Sequence, residues 1–371
     1  MYEVLYKDMP VFKIGIENGE RGKCNILDER HLPYDIYLTE EDDFDSRFDN
    51  YTNFNCWCAS RILPLDREYA KNILNYFGFT QETSDAERAK IGIATRCLSL
   101  NDCYWLKNEN EKLTWKDVNL FTNSLQDVVF EIALFGKTPT VTNSELIPPD
   151  VSTDGQAAKA WLRAGDGFYL LKGDKNDSVT KETEASQILT KLGIWNAGYI
   201  KSEFKGEPVS KCKCFTDENT NFVRAKWFAI WCMNHDESIA DYIALNQEQF
   251  DRMNLADFLV GNMDEHSMNW GFLYDNNMNI LSLNPLMDYD HAFEAGPNIQ
   301  CLPAQLLGET ITQWEMAVRI VKEHPDWIPS DIDLSGYKYG QFVQERIDML
   351  TKELMLGDRK SPKLDTDDIE R

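Results

Sequence analysis

Three residues between positions 257 and 290 have the types and spacing that phosphoryl transfer needs. Asp264 is followed five positions later by Asn269, and Asp288 lies nineteen positions beyond that. A carboxylate at 264 is suited to accept the proton of an attacking hydroxyl. An amide oxygen at 269 and a carboxylate at 288 are hard ligands for Mg²⁺, which takes few of its oxygens from protein and the rest from water and phosphates. Alone, an Asp and an Asn at this spacing are also ordinary loop chemistry, because both side chains bond to nearby backbone. The reading therefore depends on the rest of a nucleotide site being present upstream.

The elements that must position these residues are legible around them. Two short apolar runs, Trp270–Tyr274 and Ile280–Leu283, flank Asp275-Asn-Asn-Met-Asn279, which is turn chemistry. The pattern predicts a hairpin with the polar residues gathered at one end. Upstream, Asp166-Gly167 separates the runs Ala157–Leu162 and Phe168–Lys172, a second hairpin signal. It places Lys159 in the first strand and Lys172 at the end of the second. Just before it lies a small polar loop, Ser152-Thr153-Asp154-Gly155-Gln156. Gly155 permits close backbone approach there, and successive N–H groups in such a turn can cup an anion. Val179–Leu192 reads as a helix stopped by Gly193 and carrying Glu182 and Glu184, either of which could hold Lys172 towards phosphates.

Phe222–Ile230 reads as a strand ending at Trp231-Cys-Met233. A polar break then leads to a helix over Ser238–Leu245, the order expected of a hinge between two lobes. Gln247–Val260 is a further helix, and it delivers Gly261-Asn-Met-Asp264. Thr310–Lys322 and Tyr339–Leu356 carry helical periodicity, and 357–371 is a polar tail. Short strands are expected at Val4–Tyr6, Val11–Ile16 and Lys23–Leu27. A solvated acidic loop follows over Glu40–Asp49, then helices over Asp66–Tyr76 and Ser84–Cys97, and a buried strand or turn over Ser99–Leu106. The division read from these patterns is an N-terminal module over 1–145, an N-lobe over 146–232, a mainly helical C-lobe over 233–356 and the tail.

The 371 residues include 43% hydrophobic and 12% aromatic residues, enough for a large core and against general disorder. The net charge of −24 repels phosphate backbones, so direct nucleic-acid binding is not expected. No apolar run approaches the length of a membrane span and the N-terminus lacks a leader pattern, so a soluble, cytoplasmic protein is expected. The nine cysteines, with Cys56-Trp-Cys58 and Cys212-Lys-Cys214 the close pairs, read as reduced, unligated thiols.

No single part is specific, but a two-lobed kinase needs all of them in this order. The stretch Gly261-Asn-Met-Asp-Glu-His-Ser-Met-Asn269 resembles the Asn-x-Asp-x-His-x-x-Asn catalytic loop of HipA-like serine/threonine kinases. Pro285-Leu-Met-Asp288 resembles their metal-binding segment, and Ser152–Lys159 their phosphate loop. The likeness covers roughly 146–356, and the first 145 residues look like those of a clostridial and mobile-element branch of the family. The resemblance implies an α+β, two-lobed protein-kinase-like fold with a mixed α/β N-terminal module. It implies ATP and Mg²⁺ as cofactors, with Asp264 as base and Asn269 and Asp288 on the metal. Ser152 to Gln156, with Lys159 and Lys172, would be on the phosphates. Glu184 would be the first choice of partner for Lys172, with Glu182 in reserve. His266 would brace the loop by hydrogen bonding, and main-chain groups near Trp231 and Met233 would meet the adenine. A protein hydroxyl would be the acceptor and an antitoxin or regulatory protein a partner. Met263 and Met268 depart from the family pattern. A small-molecule phosphotransferase and a nucleotide-binding pseudokinase are the competing readings.

Overall fold

Alternating apolar residues start the chain as an antiparallel ladder. Strands β1 (Tyr2–Tyr6), β2 (Met9–Ile14) and β3 (Cys24–Ile26) are joined by β4 (Tyr104–Asn108), in the order β3-β2-β1-β4. The computed structural model describes residues 1–63, 70, 72, 85–123, 134, 158–294, 304–305, 311–329 and 331–358. Helices α1 (Phe44–Ser60), α2 (Asp85–Ala94) and α3 (Trp115–Val118) accompany this sheet. The acidic stretch expected to be a loop over Glu40–Asp49 instead contains the start of α1. Asp43 caps it, its side chain accepting from the N–H groups of Asp45 and Ser46. A carboxylate at that end also faces the positive end of the helix dipole.

A second sheet, in the order β5-β6-β8-β7, holds β5 (Lys159–Ala164), β6 (Gly167–Gly173), β7 (Ile200–Phe204) and β8 (Glu207–Lys213). Between β6 and β7 runs α4 (Ser178–Lys191), ended by Gly193 at φ +71°. The third sheet, β11-β10-β9, consists of β9 (Thr220–Arg224), β10 (Gly271–Asp275) and β11 (Ile280–Leu283). Helices α5 (Ala225–Asn234), α6 (Ile239–Ala244) and α7 (Gln247–Val260) lie between β9 and β10, and α8 (Gln313–Glu323) and α9 (Gly340–Asp358) follow.

The segment read as a strand over Phe222–Ile230 is therefore a strand for three residues and a helix from Ala225 onward. Ala225, Phe228 and Cys232 recur at helical spacing and are buried. The chain crosses from the second sheet to the third at 214–219 rather than at Trp231–Met233.

Two apolar cores result. One gathers Phe12, Phe54, Trp57 and Trp105 under the first sheet. The other gathers Ile188 and Leu189 of α4, Phe272 of β10, and Phe228, Phe258 and Val343 of the helices α5, α7 and α9. Burying each such side chain contributes about 1.5–3 kcal/mol. Tyr6, Arg30 and Tyr34 grip the tip of the β10–β11 hairpin. Tyr6 Oη donates to Asn276 Oδ1 at 2.6 Å, Tyr34 Oη to the Met278 carbonyl at 2.6 Å and Arg30 to the Asn277 carbonyl at 2.9 Å. Among the described residues every cysteine is a free thiol, and no helix is long and apolar enough to cross a membrane.

Candidate active site

Lys172 and Lys159 stand directly opposite each other on the β5–β6 pair, and both are buried. Two ammonium groups facing each other in a sheet repel, so carboxylates must offset them. Lys172 Nζ donates to Glu182 Oε1 and, at 2.7 Å, to Asp288 Oδ1. Glu182 is anchored in turn by the Ser210 hydroxyl of β8, which donates to its Oε2. Burial works against the charge on Lys172, but Asp288 and Glu182 outweigh it and hold the ammonium well above its ordinary value. Burial also pushes the Asp288 carboxyl up, yet Lys172 and Lys159 prevail and keep it well below the usual carboxylate range. Glu182 moves the other way: burial raises it, with Lys172 opposing.

The partner of Lys172 is thus Glu182, and the expectation of Glu184 is corrected. Residues two apart on a helix face away from each other. Glu182 shares its face with the buried Val179, Ser186 and Leu189. Glu184 looks towards the start of α9, where its carboxylate accepts from the N–H groups of Lys338 at 3.0 Å and Tyr339 at 2.9 Å.

Asp288 reaches Lys172 because its segment is pinned on both sides. Asn284 Oδ1 accepts from Gly271 N–H at 2.7 Å, closing the base of the hairpin so that 264–269 and 285–288 leave it side by side. The Leu286 carbonyl accepts from Ala197 N–H at 2.8 Å, tying the segment to the chain after α4. Asp288 itself sits at φ +68°, a left-handed conformation uncommon outside glycine and enriched at functional sites.

On the other arm, Gly261 ends α7 at φ +60° and releases the loop. Asn269 Nδ2 donates to the Asp264 carbonyl at 2.8 Å, leaving its Oδ1 as the oxygen to meet a cation. The Asp264 N–H donates to Asn262 Oδ1 at 3.3 Å, and its side chain is exposed. His266 does not brace the loop through its ring, which is exposed and bonds to no described residue. Its main-chain carbonyl accepts from Asn269 N–H at 2.8 Å. The start of α5 supports the same loop: Ala225 N–H donates to the Trp270 carbonyl at 2.9 Å and Lys226 N–H to that of Ser267 at 3.0 Å. Arg224 donates to the Met268 carbonyl.

Beneath the loop lies a polar cluster that the sequence reading did not single out. Asn262 Nδ2 lies 3.2 Å from both Asp257 Oδ1 and Glu265 Oε2. Burial pushes the Asp257 carboxyl up to about 8, and Glu265 well above its ordinary value, with Asp257 adding to the effect. An Asp on the last turn of a buried helix was the available signal.

The structure brings together Lys159, Lys172, Glu182 and Asp288, and sets the Asp264–Asn269 loop beside the Asp288 segment. Ser152, Thr153, Asp154, Gly155 and Gln156 lie outside the described residues. Trp231 and Met233 fall in the last turn of α5. There Trp231 packs on Tyr34 and Phe228 and Met233 is exposed, so the main chain expected at a hinge is committed to a helix. Among the described residues no group of three or more His, Cys, Asp or Glu could hold a metal ion. Asn269 and Asp288 offer instead the two hard oxygens that suit Mg²⁺ shared with phosphates and water.

No protein-family profile and no curated protein sequence matches the chain. Among solved structures, a chain from the Shewanella oneidensis MR-1 toxin–antitoxin complex of HipA, HipB and operator DNA is similar over 96% of this chain and 98% of its own. The TM-score is 0.50 and the identity 13%. A Helicobacter pylori proinflammatory kinase, CtkA, is similar over 54% of this chain and 95% of its own, with a TM-score of 0.38 and 16% identity. The likeness to the Shewanella chain shows that this chain has the α+β, two-lobed HipA-like fold expected from its sequence.

Proposed function

We propose that the protein is an ATP- and Mg²⁺-dependent kinase that phosphorylates a serine or threonine hydroxyl of another protein. The observation that carries this reading is the buried Lys172 held between Glu182 and Asp288, beside a loop that presents Asp264 and Asn269. A kinase fold alone is compatible with many activities, so the argument rests on these groups.

Bound ATP with Mg²⁺ would supply the transferable phosphoryl group and the metal charge that offsets its phosphates. Lys172 would bind phosphate oxygens, oriented by Glu182, and Lys159 would add positive charge behind Asp288. Asn269 Oδ1 and Asp288 would hold the metal. Asp264, on an exposed loop fixed at both ends of its peptide unit, would take the proton from the acceptor hydroxyl as that oxygen bonds to phosphorus. Electrostatic positioning supplies most of such a rate enhancement. Removing one of these charges therefore costs far more than a surface ion pair would. A protein partner of antitoxin type belongs to this reading by analogy with the Shewanella complex, which contains HipB.

Calorimetric titration with ATP, with and without Mg²⁺, tests the nucleotide part. Binding should require Lys172, and the contribution of Mg²⁺ should vanish in Asp288→Asn. Mg²⁺ enhancement that survives both Asp288→Asn and Asn269→Ala would remove the metal assignment.

A further inference from the structure

Lys172 holds Asp288 by its carboxylate, but other groups hold the chain that follows. Phe293 sits at φ +62° and Asp288 at φ +68°, so both ends of this short segment are left-handed. Such residues persist where their surroundings over-determine them. Three contacts fix Phe293. Its N–H donates to the Val260 carbonyl at 2.7 Å. Its ring lies parallel to that of Tyr339, with centroids 4.4 Å apart and 7° between the planes. The Phe342 ring meets it edge-on, at 5.4 Å and 89°. Next in the chain, Glu294 accepts from Lys181 of α4, but its side chain is 37% exposed, so water weakens that tie.

Tyr339 stands just before α9 and is fixed in turn from α4. Its hydroxyl donates at 2.7 Å to Asp177 Oδ2, the residue at the N-terminal cap of α4, and its N–H donates to Glu184 Oε2 at 2.9 Å. The same helix carries Glu182, the other partner of Lys172. Val260 is the last residue of α7, directly before the Gly261 turn that releases the loop of Asp264 and Asn269. The stacked rings therefore lie where three parts of the site meet: the helix behind Lys172, the segment that presents Asp288, and the root of the catalytic loop.

We propose that the Phe293–Tyr339 stack is the clamp that sets the Asp288 carboxylate for the metal, which makes Phe293 and Tyr339 positioning residues for phosphoryl transfer. The chain between Asp288 and Phe293 has little slack, because Ala292 N–H closes a turn onto the Tyr289 carbonyl at 3.0 Å. A displaced Phe293 thus carries Asp288 with it. A shift of about 1 Å in a positioned group costs about 10²-fold in rate, so a contact remote from the chemistry matters. The inference deepens the kinase reading and rests on it for the metal.

The first measurement is amide hydrogen exchange on the full chain, without nucleotide or metal, read on peptides covering 288–294 and α9. Tyr339→Leu keeps apolar bulk and removes the stacked ring. It should speed exchange over 288–294 about tenfold, the upper end for one lost aromatic pair, and leave the middle of α9 protected. Phe293→Leu should do the same from the other side. Tyr339→Phe keeps the ring, loses only the bond to Asp177, and should restore most of the protection. Equal acceleration throughout α9 would make the stack a general packing contact and overturn the proposal. Native exchange over 288–294 in both leucine variants would also overturn it.

The second measurement is calorimetric titration with ATP, with and without Mg²⁺. In Tyr339→Leu the enhancement by Mg²⁺ should fall about tenfold, while metal-free binding, which depends on Lys172, stays within about twofold of native. Glu184→Ala releases the N–H groups of Lys338 and Tyr339 but keeps both rings, and should retain the enhancement. Equal loss of metal-free and metal-dependent binding in Tyr339→Leu, or full enhancement despite faster exchange, would overturn the link to the metal. If the native protein binds no ATP but exchange behaves as expected, the kinase reading and the metal role both fall, while the clamp on the segment stands.

Discussion

Replacing Lys172 by Met exposes how far the site depends on one buried cation. The Lys172 and Glu182 side chains are 5% and 1% exposed, so the pair has almost no water to fall back on, whereas Asp288 at 31% keeps some. Removing the ammonium therefore strands Glu182 more than Asp288. Breaking one side of a buried pair costs about 3–5 kcal/mol, a factor of roughly 10²–10³ or more in the folding constant. Glu182→Gln added to Lys172→Met should recover about 2 kcal/mol or more, since the amide is neutral and can still accept from Ser210. The pH dependence has a defined sign. Without Lys172, burial and Asp288 hold the folded carboxyl of Glu182 above its unfolded value of about 4.3, so the folded state binds more protons. The deficit of the single variant should then shrink as pH is lowered from 7 towards 5. Urea unfolding of the four proteins of this cycle, at pH 7 and pH 5, reads all three expectations. A cost below about 1 kcal/mol for Lys172→Met, or no recovery on adding Glu182→Gln, would refute the reasoning.

Other consequences follow from the same geometry. Glu182→Gln should reduce ATP binding and turnover, while Glu184→Ala should leave both unchanged. Glu184→Ala should cost about 1–2 kcal/mol of stability through the two N–H groups it abandons at Lys338 and Tyr339, as read by parallel kinetics and thermal melts. Because the folded Asp257 carboxyl lies at about 8, above its unfolded value of about 3.9, it favours the folded state at low pH and loses that effect as pH rises through about 8. Asp257→Asn should flatten the slope of stability against pH between 5 and 8. Gly271→Ala places a Cβ 2.0 Å from the Val223 carbonyl oxygen and 2.7 Å from Arg224 Cα, so β9 and β10 must separate. A loss of about 3 kcal/mol or more is expected by denaturant titration, together with disordering of the loop that Arg224 supports.

The parts of the site that were legible in the sequence are those set by local turn chemistry. Asp275 shows why: its Oδ1 accepts from Asn277 N–H at 2.8 Å and Asn279 N–H at 2.9 Å, so the hairpin turn is encoded within five residues. Between β5 and β6 the turn signal is Asp166-Gly167 itself, with Gly167 at φ +136°. The choice between Glu182 and Glu184 needed the orientation of α4. The buried row through Val179, Ser186 and Leu189 held that information, but neither Glu is distinguished by its distance from Lys172 along the chain. Phe222–Ile230 misled because an apolar run of that length suits a buried strand or a buried helix, and only pairing with β10 ends the strand at Arg224. The start of α1 was hidden because charge was weighed before capping, although Asp43 is an N-cap residue by type. The Asp257–Asn262–Glu265 cluster is local in sequence, but its chemistry comes from the burial of the last turn of α7, which spacing alone does not reveal.

The most direct test of the central claim is transfer of radiolabel from the γ-phosphate of ATP in the presence of Mg²⁺, comparing the native protein with Asp264→Ala. Nucleotide binding is followed in parallel by calorimetry. The account predicts label on a protein serine or threonine with the native chain, and a loss of about 10³-fold or more in Asp264→Ala with ATP affinity nearly unchanged, since the base acts on the acceptor and not on the nucleotide. Undiminished transfer by Asp264→Ala, or no nucleotide binding by the native protein, would contradict it.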